Sequence, residues 1–353
     1  LRGHLAVELG AALNARREQV SSGQRVVALL APAFPAQGRT TVHGRQMLKG
    51  KPLEDVDSWQ GERVRPRSNI ADVLGEAGLL CGIVELATIR SEPCSLESAM
   101  TRLASEADVI VCDAETEADL QAIATSSRAL GPGTVLAGSA GLARYILSDP
   151  EFPRTAGAPG RGHATALEKG PTLFVVGSLS EASRQQARML AAAPDIETFT
   201  HPQHSLLMNE TTAWHDYAGL VSKSLERGKD VLLMLDSTEQ FTDTQIRLLT
   251  TSLAQMLHPL ADHAGALVAT GGETARTVLQ AWGVSHLRLL GEVEPGLPYS
   301  KTEGWTRDIL VLTKAGGFGT RETLLHCREF LEIIRRSQRR FAEPDAVVEN
   351  HES

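Results

Sequence analysis

The sequence predicts an α/β protein of two domains, each a mostly parallel sheet flanked by helices. Three observations carry that reading. The chain has 353 residues, and at roughly 100–200 residues per domain this makes two domains. Short apolar runs alternate with helical patterns along the whole length, the signature of parallel strands covered on both faces. Aromatics are only 4% while glycines number 31, which suits a core of Leu, Val and Ala better than an aromatic-rich sandwich or a base-stacking platform.

An amphipathic segment from His4 to Arg17 opens the chain, with Leu5, Val7, Leu9 and Leu13 on its apolar face. Strands are expected at Val26–Ala31, Ile83–Thr88, Val109–Asp113 and Thr134–Ala137 in the first half. In the second half they are expected at Leu173–Gly177, Val231–Leu235, Ala266–Thr270, Leu287–Gly291 and Ile309–Lys314. Helical patterns cover Glu117–Ser127, Ala182–Ala193, Ala213–Arg227, Asp243–His258, Ala275–Trp282 and Glu322–Arg335. The run DPEFPRTAGAPGRGHATALEKGP is rich in Pro and Gly and has no apolar period, so it reads as a linker. The domains are therefore 1–150, a linker 151–170, and 171–335, with a charged tail 336–353 that frays. A doubly wound domain normally starts with a strand. This chain starts with Leu1 and enters a helix almost at once, so N-terminal sequence is expected to be missing.

A net charge of −8 argues against a binder of nucleic-acid backbones. No apolar run approaches the ~18 residues of a membrane span, and no signal peptide is seen. Cys81, Cys94, Cys112 and Cys327 are widely spaced, as in a cytoplasmic protein with reduced thiols. No P-loop, GxGxxG, HExxH or GxSxG motif occurs. His201 and His204 form an isolated HxxH in a Pro-containing stretch and read as a surface loop, since no third metal ligand is evident.

Chemistry is expected in glycine-rich turns between a strand and the next helix, at the carboxyl ends of strands where open α/β sheets bind ligands. Three lie in the second half: Gly177-Ser178-Leu179-Ser180, Thr270-Gly271-Gly272-Glu273-Thr274, and Lys314-Ala315-Gly316-Gly317-Phe318-Gly319. Glycines let backbone approach a phosphate, and a helix N-terminus adds free N–H groups. Any one of these loops could simply be a tight turn; three in one domain favour a ligand. In the first half, Arg39 in Gly38-Arg39-Thr40-Thr41 can fork onto a carboxylate or phosphate. Asp113 ends an apolar strand, either as a site residue or as the N-cap of the next helix. Ser139 follows another strand, and Arg2 sits at the start of the chain.

With these loops assembled, the sequence resembles the four-carbon acid sugar kinase family, which includes 3-oxo-tetronate, threonate and erythronate kinases. The matching segments are PAFPAQGRTTVHG, VIVCDAET, AGSAGLA, VVGSLSEASRQQ, VATGGETARTVL, LLGEVEPGLP and TKAGGFG. The resemblance implies an N-terminal acid-sugar-binding domain, a C-terminal nucleotide-binding domain and an active site in the cleft between them. It implies ATP contacts at Ser178, Ser180, Gly271, Gly272, Glu273, Thr274, Gly316 and Gly317, with Mg²⁺ bridging the phosphates. Arg2, Arg39 and Ser139 are the substrate-side candidates and Asp113 the candidate catalytic base. No protein ligand for a metal is assigned. The expected partners are a small sugar acid and ATP, without nucleic acid or membrane, and a homo-oligomer is left open. The implied loop before Leu1, of the type Asp-Asp-x-Thr-Gly-Ala, is absent from the sequence. The competing function is therefore a truncated paralogue that binds nucleotide without catalysis.

Overall fold

The computed structural model describes residues 4–21, 23–56, 67–148, 170–177, 180–202, 211–236 and 242–342. The chain divides into two compact units, Leu1–Gly160 and Arg161–Ser353. The linker 151–170 lies outside the described residues apart from Gly170.

The first unit opens on α1 (Leu5–Gln19), which buries Ala6, Leu9 and Leu13. Val7, expected on that apolar face, is 65% exposed. Two positions along a helix are roughly 200° apart, so Val7 and Leu9 cannot share a face. There follow β1 (Val27–Ala31), β2 (Arg39–Val42), β3 (Arg45–Leu48), β4 (Lys51–Pro52), α2 (Ile70–Gly75), β5 (Cys81–Val84), α3 (Leu86–Ile89) and α4 (Pro93–Glu106). Then come β6 (Val109–Cys112), α5 (Glu117–Ser126), β7 (Thr134–Gly138) and α6 (Ala140–Ser148). Strands β5, β6, β1 and β7 form one parallel sheet in that order. Every residue of β1 and β6 is buried, because helices cover both faces.

The expected strand Ile83–Thr88 starts earlier and stops at Val84. The carbonyl of Glu85 accepts the N–H groups of Thr88 and Ile89 and turns the chain into α3. A small antiparallel sheet, β2–β3–β4, escapes the sequence reading. Its strands are joined by two-residue turns, His43-Gly44 and Lys49-Gly50, with positive φ at all four positions. That is the geometry of the type I′ hairpin, whose twist matches paired strands.

At the head of α5, Thr116 accepts the N–H of Asp119, and Asp119 accepts the N–H groups of Glu115 and Thr116. Arg90 donates to both Asp119 oxygens at 2.9 Å. Burial pushes this carboxyl up, but the Arg90 guanidinium and the backbone donors outweigh it and hold it at about 2.

The second unit contains β8 (Thr172–Val176), α7 (Glu181–Ala191), β9 (Ile196–Pro202), α8 (Thr211–Glu226), β10 (Asp230–Asp236) and α9 (Asp243–Leu257). It continues with β11 (Ala266–Thr270), α10 (Gly272–Ala281), β12 (His286–Glu294), β13 (Leu297–Glu303), β14 (Leu310–Lys314) and α11 (Thr323–Ala342). The sheet order is β12-β13-β14-β11-β8-β10-β9. From β14 to β9 every pairing is parallel, and β12 and β13 add an antiparallel hairpin at one edge. The strand period of two sorts side chains onto two cores. Leu173 and Val175 join Leu267, Ala269 and Val311 on one face, while Phe174 and Val176 join Val268, Leu310 and Leu312 on the other.

His201 lies within β9 rather than in a loop, and its strand pairs along its whole length with β10; His204 lies outside the described residues. The tail expected to fray from 336 is helical as far as Ala342, because α11 continues there. Among the described residues no helix is long and apolar enough to cross a membrane. The four cysteines are free thiols, with Cys112 and Cys327 buried.

Because Asp119 titrates below the ordinary carboxylate value, its stabilisation is present above about pH 4 and is lost as pH falls toward 2. Asp119→Asn is expected to lower the thermal midpoint at pH 7 by about 2–8 °C. The wild-type advantage should shrink on acidification, and calorimetry at pH 7, 4 and 2.5 checks both.

Candidate functional site

Strands β8, β11 and β14 are adjacent, and their last residues stand in one row: Val176 is in register with Thr270, and Thr270 with Lys314. The three glycine-rich turns of the second unit therefore leave the sheet side by side at its carboxyl edge. Sequence order alone does not reveal this, since β14 is separated from β11 by a whole hairpin.

The turns are also tied to each other. Gly271 N–H donates to the Lys314 carbonyl at 2.8 Å. Ser180 and Ser183 hydroxyls both donate to the Gly316 carbonyl at 2.8 Å. Gln186 donates from its amide to the carbonyls of Phe318 at 3.0 Å and Thr320 at 2.7 Å. Gly177 packs so closely on Thr274 that a Cβ there would lie 2.4 Å from the Thr274 hydroxyl oxygen. The N-terminal ends of α7 and α10 are thus held beside the third turn.

Ser180 is the N-cap of α7 and accepts the Ser183 N–H. Ser178 lies outside the described residues. Gly271 has φ 93°, a conformation that only glycine adopts readily. Gly272 begins α10, and a Cβ there would meet nothing within 4 Å; the same holds for Gly317. Glu273 is exposed and paired with Arg276. Thr274 is buried. Among the described residues the N–H groups of Gly316 and Gly317 meet no acceptor, and α10 starts at Gly272 in the neighbouring turn. Glycine-lined backbone donors at a helix N-terminus can receive phosphate oxygens.

Sequence reasoning passes over the side chain that organises the third turn. Lys314 is 2% exposed. Its ammonium donates to the carbonyls of Ala315 at 2.9 Å, Gly316 at 3.1 Å and Phe318 at 3.1 Å. Burial pushes it down to about 8, against the opposing pull of Cys327 and Glu294. A lysine ending an otherwise apolar strand was the available signal. Ser183 and Gln186, one and two helical turns into α7, gave no signal in the sequence.

In the first unit, the carboxyl edge of the sheet carries Glu85 after β5, Asp113 after β6, Pro32 after β1 and Ser139 after β7. Asp113 is fully buried. Its two oxygens accept the His43 N–H at 2.7 Å and the Gly44 N–H at 2.9 Å. Burial raises its carboxyl above the usual range while those two donors pull it back. Asp113 therefore clamps the hairpin turn. It is not the cap of the next helix, which is Thr116. Ser139 donates to the Ala33 carbonyl and accepts the Gly141 N–H, so it caps α6 and ties it to the turn after β1. Arg39 starts β2, and its backbone bridges to Phe34 across the Pro35–Gln37 turn. The His43 ring lies 3.7 Å from the Glu85 carboxylate at the exposed tip of the hairpin. Arg2 lies outside the described residues. Among the described residues no three His, Cys, Asp or Glu side chains converge to hold a metal.

Two family models match the chain, in order. A sugar-binding N-terminal domain matches residues 1–146, and a nucleotide-binding C-terminal domain matches residues 173–324. A D-threonate kinase from Cupriavidus necator is 36% identical over 304 residues, covering 85% of this chain and 72% of the relative. A D-threonate kinase from Bordetella bronchiseptica is 31% identical and covers 93% of this chain and 75% of its own. A Salmonella typhimurium protein of solved structure shares the fold at a TM-score of 0.66 and 20% identity, over 85% of this chain and 72% of that one. The two domain matches follow the two units, and identity above 30% extends over most of each kinase relative; the chain belongs to the four-carbon acid sugar kinase family.

Proposed function

We propose that the protein is an ATP-dependent kinase that phosphorylates the terminal hydroxyl of a four-carbon sugar acid, and that the acid is D-threonate. The observation that carries the kinase reading is the row of three glycine-rich turns at the ends of β8, β11 and β14. Membership of the family supplies the substrate class. D-threonate is the acid named in both relatives above 30% identity.

Phosphoryl transfer asks a protein mainly to position its substrates and balance charge. The amides of Gly316 and Gly317 and the first turn of α10 are the donors offered to the triphosphate. Ser180 holds the third turn against α7 and so acts on the nucleotide through the loop. Mg²⁺ would accompany ATP and keep several waters, so phosphate oxygens rather than a protein cage would hold it; Glu273, the carboxylate of the second turn, is paired with Arg276. On the substrate side, Arg39 is assigned to the acid's carboxylate, a planar fork matched to a planar anion. Asp113 is assigned to positioning rather than proton transfer, because both its oxygens already accept backbone N–H groups. Ser139 is likewise assigned to fixing the turn after β1.

A coupled assay of ADP release with D-threonate, D-erythronate and 3-oxo-tetronates tests the reading. Turnover is expected to be fastest with D-threonate. Nucleotide binding without turnover on any of them would leave the binding-only paralogue standing. Gly272→Val is expected to weaken ATP binding at least about tenfold, equivalent to ~1.4 kcal/mol. The thermal midpoint should be unchanged, because space around that position is open and its φ is not left-handed. Equal ATP affinity by calorimetry would reduce the second turn to a structural corner. Arg39→Ala is expected to raise the KM for the acid about ten- to hundredfold and leave the KM for ATP unchanged, as loss of a charged hydrogen-bonded pair implies.

A further inference from the structure

We propose that Lys314 is the positioning residue of the phosphate site: its buried ammonium gathers the carbonyls of the Ala315–Phe318 turn inward and thereby aims the amides of Gly316 and Gly317 outward, toward the nucleotide. The proposal rests on the nucleotide reading of the three turns and goes beyond it, since Lys314 itself need not touch ATP.

The geometry is that of a wound collar. An ammonium has three N–H donors, and all three acceptors are carbonyls of the turn that follows the lysine. In a trans peptide the C=O of one residue and the N–H of the next point opposite ways. Drawing the Ala315 and Gly316 carbonyls inward therefore turns the Gly316 and Gly317 amides out. Neither of those amides meets an acceptor among the described residues. Gly317 is exposed and Gly316 half-buried, and neither carries a side chain over its own N–H. Ser180 and Ser183 donate to the same Gly316 carbonyl and fix the same peptide.

The charge points the same way. Lys314 forms no ion pair among the described residues. The groups that face it are Glu294 from the end of β12 and Cys327 from α11. Glu294 is already engaged by the Thr323 hydroxyl and the His326 ring. Burial pushes the Cys327 thiol up to about 12, so it stays neutral. A buried cation whose partners are dipoles rather than a carboxylate leaves uncompensated positive potential in the turn. An anion bound to the outward amides would complete it.

Calorimetry of the full chain with ATP and Mg²⁺ tests this, using Lys314→Met, which keeps the apolar stem and removes the donors, and Lys314→Arg. The Met variant is expected to bind ATP at least about tenfold more weakly and the Arg variant to recover part of that loss. In steady state the KM for ATP rises and the KM for the acid does not. A second arm needs no substitution at Lys314. Wild-type affinity is expected to fall between pH 7 and 9, as the ammonium loses its proton around 8. His326→Gln, which removes the other titratable group on Glu294, keeps that step. A wild-type chain that binds no ATP overturns the nucleotide reading itself. Wild-type binding matched by a folded Lys314→Met variant overturns the role of Lys314. If that variant does not fold, affinity that stays flat from pH 7 to 9 in the wild type overturns it instead.

Discussion

Parallel pairing of β14, β11 and β8 is the constraint on which the second unit depends. Parallel neighbours must all enter from one edge and leave at the other, so their return helices and turns accumulate at opposite ends of the sheet. Register then decides what meets what. Because Val176, Thr270 and Lys314 end level, the three following turns begin level too. A shift of one residue in β14 would flip its side chains between the two cores. It would move Lys314 off the face it shares with Leu310, Leu312 and Cys327 and onto the Val311 face, and the third turn would lose its ammonium. The apolar pattern that builds the cores is therefore also what places the polar site.

The first unit solves a similar problem with an acid in place of a base. Asp113 ends β6 as Lys314 ends β14, and each is buried and satisfied by the backbone of a turn. Asp113 accepts two N–H groups of the His43-Gly44 turn, and Lys314 donates to three carbonyls. In both cases a charged side chain at a strand end shapes a loop that has no regular pairing of its own. His43 takes a left-handed φ that a non-glycine residue adopts at some strain. The Asp113 carboxylate provides the hydrogen bonds that hold it there.

The α/β class and most strands of the two larger sheets were legible because buried parallel strands are short continuous runs of apolar residues, as in Val109–Cys112 and Leu310–Leu312; β9 (Ile196–Pro202) and β13 (Leu297–Glu303) were missed because polar residues and proline interrupt them. The three glycine turns were legible because each directly follows such a run. What could not be read is lateral order. Nothing in the sequence says that β14 lies beside β11, or that β12 and β13 pair antiparallel. The β2–β4 sheet was missed because its strands are short and polar, although His-Gly and Lys-Gly six residues apart were its trace. Asp113 was visible as a charged strand end, but its role was not. An acid that clamps a turn and an acid that takes a proton look alike in one dimension. Ser183 and Gln186 were invisible because a helix carries many polar residues, and only packing shows which ones reach a neighbouring loop.

The hydrogen bonds among the turns also bear on how binding free energy is divided. A glycine-rich loop left to itself loses much conformational entropy when a ligand orders it, and that loss is subtracted from affinity. Here Gly271 is bonded to Lys314, the Gly316 carbonyl is held by two serines, and Phe318 and Thr320 are held by Gln186. Those bonds form when the unit folds, so the ordering is complete before any nucleotide arrives. Folding stability and ligand affinity are therefore coupled through the same few side chains. A substitution at Gln186, which has no donor aimed at phosphate, would loosen the apo loop and reappear as weaker binding with the ligand's own contacts intact.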